Sequence, residues 1–147
     1  HMKILVILNP VSGGTSNDKA VLRIHEQAVQ TASDFKFVYT TGVDDDKRVQ
    51  LEIKNYKPDL VIAGGGDGTI QLAARNLVRK KIPMAILPLG SANGLATALG
   101  FSQNPVDAVD AIFKSTTTRP LDMLKFNQRY ACIHLGDIGV NAHMVKE

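Results

Sequence analysis

The sequence predicts an α/β fold with a mostly parallel sheet, and three observations carry that expectation. Short continuous apolar runs recur, at Lys3–Leu8, Leu60–Ala63 and Pro83–Leu87, each the length of a strand buried on both faces. Segments of helical periodicity lie between them. Each run gives way to a loop of small, hydrogen-bonding residues: 9–15, 64–69 and 88–94. Alternation of strand and helix requires crossover connections and therefore parallel pairing.

The elements follow in order. Lys3–Leu8 is the first strand and Asn9-Pro10-Val11-Ser12-Gly13-Gly14-Thr15 the loop after it. A helix follows from Asn17 to Gln30, with Val21, Leu22, Ile24, Ala28 and Val29 as its apolar positions. Phe35–Thr40 is the second strand, and the polar loop Thr41–Asp46 leads into a helix at Asp45–Asn55. The early aspartates Asp44, Asp45 and Asp46 suit the positive end of that helix. Lys57-Pro58 closes it. Leu60–Ala63 is the third strand, followed by Gly64-Gly65-Gly66-Asp67-Gly68-Thr69 as a glycine turn and a helix over Ile70–Arg79. That helix should bury Ile70, Ala73, Ala74, Leu77 and Val78. Pro83–Leu87 is the fourth strand. Leu95–Leu99 reads as a short helix ending at Gly100, and Pro105 opens a helix to Lys114. Leu121–Phe126 and Arg129–Leu135 flank Asn127-Gln128 as a β-hairpin. The whole is a three-layer α/β/α domain of Rossmann-like type that ends in a hairpin.

Length and composition set bounds on function. With 147 residues and 44% apolar content there is material for one globular domain, 1–147, with its own core. His1 reads as the remnant of a cleaved tag, with Met2 as the natural start. A net charge of +3, scattered basic residues and 5% aromatics argue against nucleic-acid binding. The one basic cluster, Arg79-Lys80-Lys81, falls at the expected end of a helix, where cations complement the dipole. Its alternative is peripheral contact with anionic lipid at the inner membrane face. Cys132 has no partner for an internal disulfide, which suits a reducing compartment. No apolar run approaches the roughly 18 residues of a membrane span, so a cytoplasmic protein is expected. Sequence alone does not address the oligomeric state.

The stretch 59–70 concentrates the chemistry. Glycines at 64, 65, 66 and 68 remove every β-carbon that could hold a phosphate away from the backbone. The helix behind them offers free N–H groups and a positive dipole end. The spacing does not match G-x-G-x-x-G, because Thr69 stands where the last glycine belongs, and no segment matches the P-loop pattern. Asp67 is the anomaly: a carboxylate among phosphate-binding groups needs a divalent cation beside it or a proton to accept. Loops at several strand ends of one sheet edge, with Thr40 and Thr41 at a further end, define a polyphosphate site. His25 reads as a surface residue and His134 as a hydrogen-bonded core residue. No His/Cys cluster has zinc spacing.

Asn9-Pro10-x-Ser12-Gly13, Gly65-Gly66-Asp67-Gly68-Thr69 and Pro88-Leu89-Gly90-Ser91-Ala92-Asn93, in that order, resemble the diacylglycerol kinase catalytic domain family. Sphingosine kinases and bacterial lipid kinases belong to it, and the resemblance spans nearly the whole chain. It implies an ATP-dependent lipid kinase that transfers the γ-phosphoryl group to a lipid hydroxyl, on diacylglycerol or a related acceptor, with Mg2+. It implies nucleotide contacts at Asn9, Ser12, Gly13, Thr40, Gly65, Gly66, Asp67, Gly68, Thr69, Ser91 and Asn93. Thr41 competes with Thr40 for its place. Asp67 would be the catalytic residue and Asp122 would reach magnesium through water. Tyr130–Ala142 resembles a crossover into a β-rich second domain that would complete the catalytic site. Without that domain the chain is expected to bind ATP but not to turn it over appreciably. Gly94 departs from the family pattern, which has an aspartate after Asn93. Two other readings stay open: a kinase of NAD type, against which the Pro-Leu-Gly-Ser-Ala-Asn motif argues, and a nucleotide-binding module without catalysis.

Overall fold

The computed structural model describes residues 2–11, 14–89 and 104–118. Its described elements are β1 (Lys3–Leu8), α1 (Thr15–Gln30), β2 (Asp34–Tyr39), α2 (Asp45–Tyr56), β3 (Leu60–Gly65), α3 (Asp67–Arg75), β4 (Met84–Pro88) and α4 (Pro105–Thr118). The four strands form one all-parallel sheet in the order β2-β1-β3-β4. This is the expected α/β architecture. The expected short helix at Leu95–Leu99 and the hairpin at 121–135 lie outside the described residues.

Period-two alternation in the inner strands builds the three layers. Leu5, Ile7, Val61, Ala63 and Ile86 point to one face and pack on α2 and α3 through Val49, Ile53, Ile70 and Ala73, and on Leu77 just past the end of α3. Ile4, Val6, Leu8, Leu60, Ile62 and Leu87 point to the other and meet Ala20 and Ile24 of α1 and Val109, Ile112 and Phe113 of α4. β1 and β3 are buried on both faces, which is why they read as unbroken apolar runs. β2 is the sheet edge and alternates: Phe35 and Phe37 are partly buried against the α1 layer, while Asp34, Lys36 and Tyr39 are exposed. His25 on α1 is exposed, as expected, and lies edge-on to Phe35 at 4.5 Å between ring centroids.

Several expected details change. Leu22 and Val29 are exposed, because Ala20, Ile24 and Ala28 supply the buried stripe of α1. β3 runs two residues further than the apolar pattern, since Gly64 and Gly65 keep the ladder going opposite Leu87 and Pro88. α3 starts at Asp67 rather than near Thr69 and ends at Arg75 rather than Arg79. The chain past Arg75 turns away from the helix axis, which leaves Val78 exposed and carries Arg79-Lys80-Lys81 beyond the helix end. That cluster therefore does not complement the α3 dipole, whose reach is the last turn. α4 begins as Pro105 suggested, with Asn104 Oδ1 accepting the amides of Val106 at 3.0 Å and Asp107 at 3.1 Å. Among the described residues no helix is long and apolar enough to cross a membrane.

Ile62 sits at the centre of β3 with no exposed surface. Ile62→Ala should destabilise the fold by about 2–5 kcal/mol, the range for truncating a buried isoleucine. Urea denaturation with an unchanged slope and a lowered midpoint is the expected result.

Candidate functional site

The C-terminal edge of the sheet is held level by backbone hydrogen bonds that continue the ladders past the strand ends. Asn9 N–H donates to Gly64 O at 3.0 Å, Thr40 N–H to Leu8 O at 2.9 Å, and Leu89 N–H to Gly65 O at 3.2 Å. Four chain exits are thereby brought to one level. A cleft of about 570 Å3 opens above them, lined by Asn9, Thr40, Gly68 and Thr69, all expected at the site. Thr41, Gly42, Asp45, Leu72 and Arg75 complete the wall.

The four glycines divide into two pairs with different physical causes. A β-carbon on Gly64 would stand 2.7 Å from Leu8 Cδ1 and 3.3 Å from Leu89 Cδ1, so Gly64 is small for the sake of the sheet interior. Gly65 has φ +154, and its β-carbon would fall 2.6 Å from Thr69 Oγ1, 2.9 Å from Thr69 Cβ and 3.3 Å from Asn9 Cβ. At Gly65 both the backbone and the space demand glycine. Gly66 and Gly68 differ: a β-carbon on either meets nothing within 4 Å, and Gly66 has the ordinary extended φ of −89. Among the described residues no contact explains their lack of side chains. What they provide is bare backbone facing open space, where a ligand can reach the amides.

Gly66 is the N-cap of α3, and no side chain caps that helix end. Ile70 N–H makes the bond to Gly66 O at 3.1 Å, so the amides of the preceding turn have no intrahelical partner. Asp67 is the first residue of the helix and its acidic group suits the dipole there. Its Oδ1 is buried and has no hydrogen-bond partner among the described residues. A buried carboxylate oxygen without a donor is costly, and a cation, a water or an acceptor hydroxyl would satisfy it. The chemistry of these groups, free helix-start amides beside a carboxylate, is compatible with a phosphate group accompanied by a divalent cation. Among the described residues no three acidic, His or Cys groups cluster as a metal cage.

The neighbouring loops are held by side chains that sequence reasoning assigned otherwise or missed. Asn9 Oδ1 accepts the Val11 amide at 3.0 Å, which makes it a turn-forming residue as well as a wall of the cleft. Asn17, buried at the start of α1, donates from Nδ2 to Asn9 O at 3.0 Å and Pro10 O at 3.3 Å and pins the loop from behind. Thr41 spends its hydroxyl on Val43 O and Asp45 Oδ1. Among the described residues the Thr40 hydroxyl makes no such bond to the loop, and between the two it is the better placed for a ligand. Asp45 does not cap α2: its carboxylate turns back to accept the amides of Thr41 at 2.9 Å and Gly42 at 2.8 Å. Those bonds, the Thr41 amide first, hold its pKa below the usual carboxylate value. Asp46 accepts Arg75 Nε and Nη2, both at 2.8 Å, and Asn76 Nδ2 at 2.9 Å, which ties α2 to α3. The Arg75 guanidinium holds the Asp46 carboxyl below its ordinary range. Only partners 29 and 30 residues away reveal that role, so no local pattern signalled it. Ser12, Gly13, Ser91, Asn93, Gly94 and Asp122 lie outside the described residues.

The family model of the diacylglycerol kinase catalytic domain matches residues 3–126. The chain belongs to that family. It is 30% identical over 84% of its residues to sphingosine kinase B of Dictyostelium discoideum, of which the match covers 17%. It is 28% identical over 85% of its residues to a diacylglycerol kinase of Bacillus subtilis, covering 42% of that protein. A crystal structure of a diacylglycerol kinase from Bacillus anthracis superposes with a TM-score of 0.65 at 30% identity, over 78% of this chain and 40% of that one. The chain thus spans less than half the length of each of these relatives, and it corresponds to their catalytic-domain region.

Two expectations follow from the cleft. Gly65→Ala should abolish ATP binding in a titration, whereas Gly66→Ala should keep the fold's thermal midpoint and impair binding only through the methyl it places over the amides. Asp45 contributes stability to the 41–45 loop that is fully present above the ordinary carboxylate pKa of 3.8 and is lost as pH falls through its lowered folded value. Amide exchange at Thr41 and Gly42 should therefore quicken below about pH 4, and Asp45→Asn should remove that acid step.

Proposed function

We propose that this domain binds ATP with magnesium in the cleft above Asn9, Thr40, Gly68 and Thr69 and is the nucleotide-binding part of a lipid kinase. The observation that supports this best is the buried, unpartnered Asp67 Oδ1 at the uncapped N-terminus of α3. The amides of the first α3 turn bind phosphate oxygens, and the bare backbone of Gly66 and Gly68 lets those oxygens come close. Thr40 and Thr69 offer hydroxyls to the same groups. Magnesium, when bound, supplies charge neutralisation between the phosphates and a carboxylate. Asp67 is the residue that would hold such a cation, and its carboxylate is the group that would accept the proton of the attacking hydroxyl. The acceptor is a lipid hydroxyl, on diacylglycerol or a related amphiphile, in keeping with the names of the relatives.

Phosphoryl transfer depends on positioning and electrostatics more than on covalent chemistry by the protein. The strand ends, levelled by their backbone hydrogen bonds, and α3 supply that rigid positioning. Isothermal titration of ATP with and without magnesium separates the parts of the reading. Asp67→Asn should lose the gain in affinity that magnesium confers, while magnesium-free ATP binds as well or better because a negative charge has gone. In a protein with measurable turnover the same change should cost about 10²–10⁴-fold. Magnesium dependence unchanged in Asp67→Asn would make Asp67 a helix-start residue and remove the centre of this mechanism.

A further inference from the structure

At the opposite edge of the sheet, where the chain enters β3 and β4, a larger cleft of about 850 Å3 opens between the C-terminal ends of α2 and α3. Its floor is apolar, made of Ile53, Pro58 and Ile82. Its walls carry Lys54, Lys57, Arg75, Arg79, Lys80 and Lys81, and no Asp or Glu lines it. Arg75 is forked onto Asp46. The other five cations form no ion pair among the described residues.

Complementing the helix ends does not account for this charge. Two helix C-termini present roughly −0.5 each, so five unpaired cations leave about +4 around the hollow. Arg79, Lys80 and Lys81 also lie past the last turn of α3, where the dipole has faded. Like charges gathered round one concavity repel one another and focus a positive potential into it, which favours a multiply charged anion. The cations surround a concavity, which concentrates their potential on a compact anion.

We propose that this basic cleft binds a soluble anion bearing two or more phosphate groups, at a site other than the cleft lined by Asn9, Thr40, Gly68 and Thr69, with which it shares only Arg75. Ammonium and guanidinium groups on Lys54, Lys57, Arg79, Lys80 and Lys81 make charge-assisted hydrogen bonds to phosphate oxygens. The inference stands on this cleft's own residues and does not require the kinase reading.

Inorganic pyrophosphate, titrated without magnesium and followed by amide chemical shifts, tests it. Shifts are expected at residues 54–57 and 79–82. The variant Lys54→Gln/Lys80→Gln/Lys81→Gln should weaken them by about tenfold or more, as expected for lost hydrogen bonds to charged groups. Lys81→Gln alone should give a smaller weakening and serves if the triple variant unfolds. In Gly66→Ala, where an added methyl meets nothing within 4 Å, these shifts should persist while ATP binding is impaired, so failure of one site is distinguishable from failure of the other. Shifts confined to residues 65–69, or unchanged in the lysine variants, would overturn the proposal. Sedimentation with phosphatidylglycerol vesicles that depends on the three lysines and is insensitive to pyrophosphate would overturn it too, by making the cleft a membrane contact.

Discussion

Parallel pairing of β1 with β3 is the constraint on which the rest of the structure rests. Ile4 through Leu8 run alongside Leu60 through Gly64, and the ladder continues one step further when the Asn9 amide donates to Gly64 O. That step sets the height of the first loop relative to the glycines. β2 and β4 are attached on either side by the same kind of continuation, at Thr40 and Leu89. A displacement of β1 by one residue would turn Leu5 and Ile7 towards the wrong helix layer and move Asn9 out of reach of Gly64. Core packing and cleft geometry are therefore one requirement met by one register.

The glycine-rich segment shows how such a site is assembled from residues with unlike reasons. Gly64 belongs to the sheet interior, Gly65 to the narrow passage between Thr69 and Asn9, and Gly66 and Gly68 to the open side. Removing side chains at four neighbouring positions lets a strand enter a helix with no intervening loop. Asp67 is consequently fixed by two regular elements and not by a flexible connection. Rigid presentation of this kind is what catalysis by positioning requires.

Much of this was legible in the sequence because inner strands of a parallel sheet carry an unmistakable apolar signature. β1 and the crossover pattern are found where the runs predict them, and Asn9, Thr40, Gly68 and Thr69 gather in one cleft. Boundaries near the glycines were less legible, since glycine has low propensity for both strand and helix. Here the hydrogen bonds of neighbouring strands outweigh propensity and extend β3 to Gly65. The α1 face was misjudged at Leu22 and Val29 because alanines at 20 and 28 permit close packing that larger residues at those positions would not. Asp46 and Arg75 act through each other, partners that only folding brings near, whereas Asn17 and Asp45 bond to nearby loop residues, through side-chain choices that composition does not specify. The sequence pattern places Arg79-Lys80-Lys81 at a helix end as dipole complement or lipid contact, whereas α3 ends four residues earlier, at Arg75, in a turn that periodicity does not signal.

The strand order also governs how the chain can reach this state. β1 emerges first during synthesis, yet it lies inside the sheet, and its inner neighbour begins at Leu60. Ile4 must wait for a residue 56 positions later, counting from 4 to 60. At ordinary translation speeds of about 5–20 residues per second that is a delay of roughly 3–11 s. Through it, Ile-Leu-Val-Ile-Leu is covered on one edge at most, by β2. An uncharged apolar β-forming run of this length is the kind of segment that self-associates when exposed. Lys3 on one side and Asn9-Pro10 on the other bound it with a charge and a strand-breaking residue, so the residues that open and close the first strand also guard the unfinished chain.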